Sequence, residues 1–301
     1  RSSDLLGLGL MARQAGDFTV AAEHFRLAAE AGNARASCEL GDLHRAGRGV
    51  PRDRATALGW FRRSAEAGYA PGQYRLAMAY LKGEGVERSP DTAETWLRRA
   101  ARQDDIAAMM ALGRLHADPK GAAANPREAA AWFRKAADLG HAAARISLLH
   151  LCLNGYDGEH GVADALDQLT ALAGQGNATA MMALGRTLAA GGPERPKEPE
   201  QAALWFRRAA ETGHPGGQLI LARLLLAGRG IPADPAEAVS WLTRASEQDN
   251  ANAQYELGLH LEQSGGEAPP GMGAADWYRR ASALGHPEAQ ARLRILGGSS
   301  A

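Results

Sequence analysis

His44, Tyr80, His116 and Cys152 follow one another at 36-residue intervals. Imidazole, phenol and thiol groups in a fixed register are side chains from which a metal centre could be assembled. Geometry weighs against it. Equivalent positions on successive packed helices stand about 10 Å apart, whereas zinc ligands must close to about 2 Å from the ion. The four are therefore expected to be core residues, each needing only a hydrogen-bond partner. No HExxH, GxSxG or Walker sequence occurs, so the common linear signatures of metalloprotease, hydrolase and nucleotide chemistry are missing. Cys38 and Cys152 form no CxxC pair. No serine is followed three residues later by lysine, the spacing that would bring a base to an acylating hydroxyl. The sequence predicts no catalytic residue, no metal and no cofactor.

The elements that would hold such residues emerge from spacing. All six tryptophans, Trp60, Trp96, Trp132, Trp205, Trp241 and Trp277, lie in one register with gaps of 36, 36, 73, 36 and 36. Self-similarity at such a period is the mark of a stacked-repeat architecture. A large apolar residue follows each tryptophan: Phe61, Leu97, Phe133, Phe206, Leu242 or Tyr278. Upstream, a Leu-Gly or Leu-Ala pair recurs, as at Leu40-Gly41, Leu76-Ala77 and Leu112-Gly113. Each unit reads as two helices. In the first, Ala36, Leu40, Gly41, Leu43 and His44 share a face at 100° per residue. A loop such as Gly47-Arg48-Gly49-Val50 follows, and Asp53, Asn125 and Asp234 stand where an N-cap would open the second helix. Gly68, Gly140, Gly176, Gly213 and Gly285 punctuate the joints. His141, His214 and His286 come next as turn or cap residues.

This pattern predicts an all-α chain of about seventeen helices, a right-handed superhelical solenoid of antiparallel helix pairs. It is read as one domain over 1–301: an N-terminal pair at 1–32, seven repeats at 33–285, and a capping helix with tail at 286–301. Capping is what an open-ended stack needs for solubility. The fourth repeat departs from the pattern, with Leu149 for the small residue, Gln168 for the tryptophan and an unusual loop from Asn154 to Gly161. All six tryptophans are expected to be buried.

The 36-residue period, the Leu-Gly pair, the Gly-x-Gly-Val loop and the Trp…Ala-Ala second helix resemble the Sel-one-like repeat family of tetratricopeptide-like solenoids. The resemblance covers essentially the whole chain. It implies a bacterial adaptor or scaffold for protein complexes, often at the envelope, with no shared catalytic site to carry over. Members with disulfide-pinned repeats carry two cysteines per unit, which this chain lacks. Relatives linked to penicillin-like ligands leave open an envelope protein that binds or hydrolyses β-lactam or peptidoglycan-like compounds. A self-assembling spacer is a third reading.

Charge and hydropathy set limits on partners. Lys plus Arg and Asp plus Glu number 34 each, so the electrostatic footprint of a general nucleic-acid binder is missing. No apolar run reaches the length of a membrane span. The chain begins at Arg1 rather than at methionine, as after removal of a start segment; an exported, periplasmic setting is favoured over the cytoplasm. The expected binding surface is the first-helix face opposite the Leu-Gly stripe. One row there holds Met78, Arg114, His150, Arg186 and Arg223; beside it run Tyr74, Met110, Ile146, Met182, Leu219 and Tyr255. These are expected to line a groove for an acidic, partly apolar segment of a partner protein or peptide.

Overall fold

A computed structural model of the chain describes residues 1–155, 161–192, 195–265 and 271–298. Most of the unusual fourth-repeat loop, 156–160, lies outside the described residues. Among the described residues there are seventeen α-helices and no strand. The first helices of the pairs are α1 (Ser2–Gln14), α3 (Ala34–Ala46), α5 (Ala70–Lys82), α7 (Ile106–Ala117), α9 (Ala142–Leu153), α11 (Ala178–Ala190), α13 (Pro215–Ala227) and α15 (Ala251–Ser264). The second helices are α2 (Phe18–Glu30), α4 (Arg54–Glu66), α6 (Pro90–Ala101), α8 (Pro126–Asp138), α10 (Val162–Gly174), α12 (Pro199–Glu211), α14 (Pro235–Glu247) and α16 (Ala274–Ala283). Helix α17 (Pro287–Gly298) closes the series.

The helices fall into two compact units, Arg1–Arg145 and Ile146–Ala301. Within the first, α1, α3, α5 and α7 each pack most heavily on the second helix that follows, and that helix then meets the next first helix. The second unit repeats the arrangement from α10 through α17. In both, one residue type is matched to another across the pair. A Cβ on Gly41 would lie 2.6 Å from the Phe61 ring, on Gly113 2.3 Å from Phe133, on Gly185 2.7 Å from Phe206 and on Gly258 2.6 Å from Tyr278. Where the aromatic slot holds Leu97 or Leu242, the glycine slot holds Ala77 or Ala222. The Leu-Gly pair is therefore a close-approach device: the missing methyl is the space the ring occupies. Among the inter-repeat small residues, Ala36, Ala108, Ala180 and Ala253 have no exposed surface. A Cβ on Gly72 would meet Ser64 Oγ at 2.2 Å.

The tryptophans correct the expectation of uniform burial. Trp277 and Trp241 are buried, but Trp60, Trp96, Trp132 and Trp205 each keep part of their surface exposed. A cation three residues on completes each site. Arg63, Arg99, Arg208, Arg244 and Arg280 stand 4.5–5.6 Å from the Trp60, Trp96, Trp205, Trp241 and Trp277 ring centres, and Lys135 lies 5.0 Å from that of Trp132. Residues at i and i+3 share a helix face, so cation–π contact covers what a neighbouring helix does not.

Caps open most helices as the sequence predicts. Asp53, Asn125 and Asp234 accept backbone N–H groups at the starts of α4, α8 and α14. Gly68, Gly140, Gly176, Gly213 and Gly285 take φ of 85–89° just past second helices, a conformation costly to other residues; Asp104 and Asp249 occupy the same joint at φ 57° in two repeats. Cys38 is a buried free thiol. Burial, reinforced by the Asp42 carboxylate, pushes it up to about 12, which makes it a poor nucleophile.

One cap histidine adds a pH dependence. Nδ1 of His214 accepts the N–H of Gly217 at 3.1 Å, and only an unprotonated nitrogen can accept. Burial and then the Arg186 charge hold His214 below its ordinary 6.5; His150 is lowered by burial, Arg186 and Arg195. The unfolded chain thus takes up protons that these folded residues refuse, so their contribution to stability is fully present above 6.5 and is lost as pH falls from there through their lower folded values. The thermal midpoint is expected to fall between about pH 7.5 and about pH 5.5. Asn33, Asn177 and Asn250 cap in the same slot without titrating, so His214→Asn should shallow the fall. A midpoint profile unchanged by that substitution would rule out this source.

Candidate functional site

A cleft of about 700 Å³ opens in the first unit between α5, the start of α6, α7 and the loop that follows α7. Tyr74, Met78 and Leu81 of α5 and Leu115 of α7 supply apolar surface; Arg88, Arg114 and Lys120 face Asp91, Glu94 and Asp118 around it. Arg114 is exposed, and its guanidinium has no hydrogen-bond or ion-pair partner among the described residues. A smaller hollow of about 90 Å³, lined by Arg45, Arg75 and Lys82, shares Tyr74 and Met78 with the cleft. These two residues therefore sit between two depressions along the first-helix face.

Of the residues expected to form the groove, Tyr74, Met78 and Arg114 are brought together here. The others go elsewhere. Met110, Ile146, Met182 and Leu219 are 4%, 3%, 3% and 6% exposed, so the apolar row is core and cannot receive a partner's side chains. Helices α7, α11 and α13 each pack against second helices on both sides, and the buried arc is wider than one stripe; α11 buries eight of its residues, Met181 and Met182 included. In the second unit, Arg186 is exposed, whereas Arg223 is tied to Glu256 by Nε at 2.7 Å. His150 lies half-buried with Nδ1 3.3 Å from Thr187 Oγ1. Tyr255 stacks on His286 at 4.3 Å.

Beside the cleft, and sharing Glu94 with it, is a charged cluster. Arg98 of α6 donates from Nη2 to Glu94 Oε1 at 2.6 Å and also to Glu128 Oε1 on α8. Trp132 Nε1 donates to the same Glu128 oxygen at 3.4 Å. Burial raises the Glu128 carboxyl, yet Arg98, His116 and Trp132 together outweigh it and hold it below the carboxylate range. His116 on α7 is 3% exposed, with Nδ1 2.8 Å from the Ala123 carbonyl oxygen. Its Nε2 lies 3.5 Å from Glu94 Oε1 and 3.5 Å from Glu128 Oε1.

Part of this cluster recurs 109 residues on. Arg207 donates to Glu237, and Trp241 Nε1 donates to that carboxylate at 3.0 Å. There the positions matching Glu94 and His116 are Ala203 and Leu225. The Arg–Glu–Trp unit thus belongs to the repeat, and Glu94 with His116 is an addition peculiar to one copy. Sequence reading took His116 for a core residue and did not single out the carboxylates, which come from two other helices. The mismatch between the copies was the signal available.

Paired helices of this spacing, packed first on second and second on next first, define a helical-repeat solenoid. The Sel1 repeat pattern matches residues 4–33, 34–69, 70–105, 106–141, 178–214, 215–250 and 251–286, and the chain belongs to the Sel1 repeat family. The N-terminal pair is thus a repeat of the same kind, and the departing fourth repeat is the stretch left unmatched. Similar solved structures include c5321, a protective antigen of uropathogenic Escherichia coli with an SLR fold: 30% identity, TM-score 0.58, covering 97% of this chain and 63% of that one. A Sel1 repeat protein from Oxalobacter formigenes is 26% identical with TM-score 0.57, covering 98% of this chain and 87% of that one. The chain therefore spans less than two thirds of the length of c5321. No curated protein matches. Sel1 repeat proteins commonly mediate protein–protein interaction and are generally non-catalytic. No helix of the described residues is long and apolar enough to cross a membrane.

Proposed function

We propose that the protein is a non-catalytic scaffold or adaptor whose first unit holds an extended segment of a partner protein in the cleft between α5, α6 and α7. The observation that carries this reading is the cleft itself, where exposed, unpartnered Arg114 stands beside the apolar surface of Tyr74 and Met78. An arginine fork pairs with carboxylates at two points, and methionine adapts to varied shapes. A segment with an acidic residue beside apolar ones fits both. The adjoining hollow, which shares Tyr74 and Met78, favours a ligand longer than one side chain. An exported or periplasmic setting belongs to this reading, supported by the likeness to a bacterial antigen.

Affinity capture from the native host should retrieve a partner, and retention should weaken as salt screens Arg114. The double substitution Tyr74→Ala with Arg114→Glu is expected to reduce capture more than about tenfold at unchanged helix content, the energy of one or two lost contacts. Arg186→Glu, in the other unit, should leave capture intact. Equal retention by the cleft variant would place binding elsewhere.

A further inference from the structure

We infer that Glu94, His116 and Glu128 form a binding site for one divalent transition-metal ion of the zinc class. The first reason is the state of the imidazole. Donation from Nδ1 to the Ala123 carbonyl oxygen at 2.8 Å leaves the neutral ring with a lone pair on Nε2. That nitrogen is buried with no hydrogen-bond partner, and it faces two carboxylate oxygens at 3.5 Å each. Two carboxylates facing that nitrogen are satisfied by a positive charge between them, a proton on Nε2 or a bound metal ion, and titration with metal separates the two. Anchoring of the other ring nitrogen by a backbone carbonyl is the outer-shell arrangement that metal-bound histidines adopt.

The second reason is distance. Ligands about 2.0–2.1 Å from a tetrahedral ion stand about 3.3–3.4 Å from one another, close to the two 3.5 Å separations, and all three ligand atoms lie within 4.8 Å of one another. One imidazole and two carboxylates suit zinc and its neighbours better than magnesium, which keeps its waters. Three protein ligands also leave a fourth position open.

The third reason is the second copy of the Arg–Glu–Trp unit. Arg207 and Glu237 pair with Ala203 and Leu225 in the matching slots, so the repeat does not need Glu94 or His116 to close its core. Arg98 is the competitor. Its guanidinium now serves both carboxylates, and its side chain, 37% exposed, has solvent to turn into when an ion takes them.

The purified, chelator-stripped chain is titrated with Zn²⁺ against a chromophoric competitor, and with Co²⁺ by visible absorption. One ion per chain is expected. Glu94→Ala with His116→Leu, which installs the residues of the other copy, should keep helix content and weaken Zn²⁺ binding by more than the roughly 10–100-fold that losing an outer-shell partner costs. The isosteric Glu94→Gln provides an independent loss should the double variant not fold. Arg98→Gln should bind more tightly than the parent. Absence of stoichiometric binding, undiminished affinity in the ligand variants, or equal affinity for Mg²⁺ would each overturn the site. Because the readout is metal binding by the isolated chain, it stands or falls apart from partner binding in the cleft.

Discussion

Truncating Trp277 to alanine is expected to lower stability by about 3–5 kcal/mol, the usual cost of a large aromatic leaving a cavity. Trp277 is fully buried and shares one core cluster with Leu242, Leu257 and Leu261. That cluster draws its residues from successive helices of the second unit, so the cavity would open in a core shared between repeats rather than within one. Stability in such stacks is close to a sum of repeat and nearest-neighbour terms, and here both terms lose. For a body of this size the loss corresponds to a fall in thermal midpoint of roughly 6–20 °C. Trp277 Nε1 has no hydrogen-bond partner, so Trp277→Phe removes an unsatisfied donor and should cost far less than the alanine. The partly exposed Trp205 is the control; with less area to lose, Trp205→Ala should cost less than Trp277→Ala. Circular dichroism across denaturant series would measure all three. Equal costs at Trp277 and Trp205 would contradict the burial difference.

That burial difference marks where sequence reading stopped. The helix pairs, the N-caps at Asp53, Asn125 and Asp234, and the joint glycines were legible because each depends on residues a few positions apart. The tryptophan slot was legible as a repeat, but its cover was not. Trp60 and Trp205 are completed by Arg63 and Arg208 from their own helices, a local feature that the search for a core overlooked. Met110 and Met182 were misplaced for the opposite reason. A helical wheel drawn from one apolar stripe assumes one packing neighbour, whereas these first helices have neighbours on two sides. The Glu94–Arg98–His116–Glu128 cluster is assembled from α6, α7 and α8, and no single helix carries enough of it to be read alone. Tyr74, Met78 and Arg114, by contrast, sit four residues or one repeat apart, so the sequence places them on one face, and they line one cleft.

Replacing Gly113 with alanine is expected to destabilise the first unit, against the ordinary preference of helices. Within a helix that change normally gains about 0.5–1 kcal/mol. Here the new Cβ would lie 2.3, 2.6 and 2.7 Å from three atoms of the Phe133 ring. Phe133 is 3% exposed, so the ring has little room to retreat. Overpacking of this kind costs about 1–3 kcal/mol, and three contacts this short put it at the upper end, for a net loss of about 1–2 kcal/mol after the helix gain. Phe133→Leu alone should lose a similar amount through the space left over Gly113. Combined, the two changes reproduce the Ala77–Leu97 and Ala222–Leu242 pairings that other repeats already use, and the added methyl fills the space the ring vacates. The double variant is therefore expected near parent stability, with a favourable coupling of at least about 1 kcal/mol, well above the roughly 0.3–0.5 kcal/mol within which independent sites add. Additive losses would mean that glycine stands at this slot for some reason other than the ring above it.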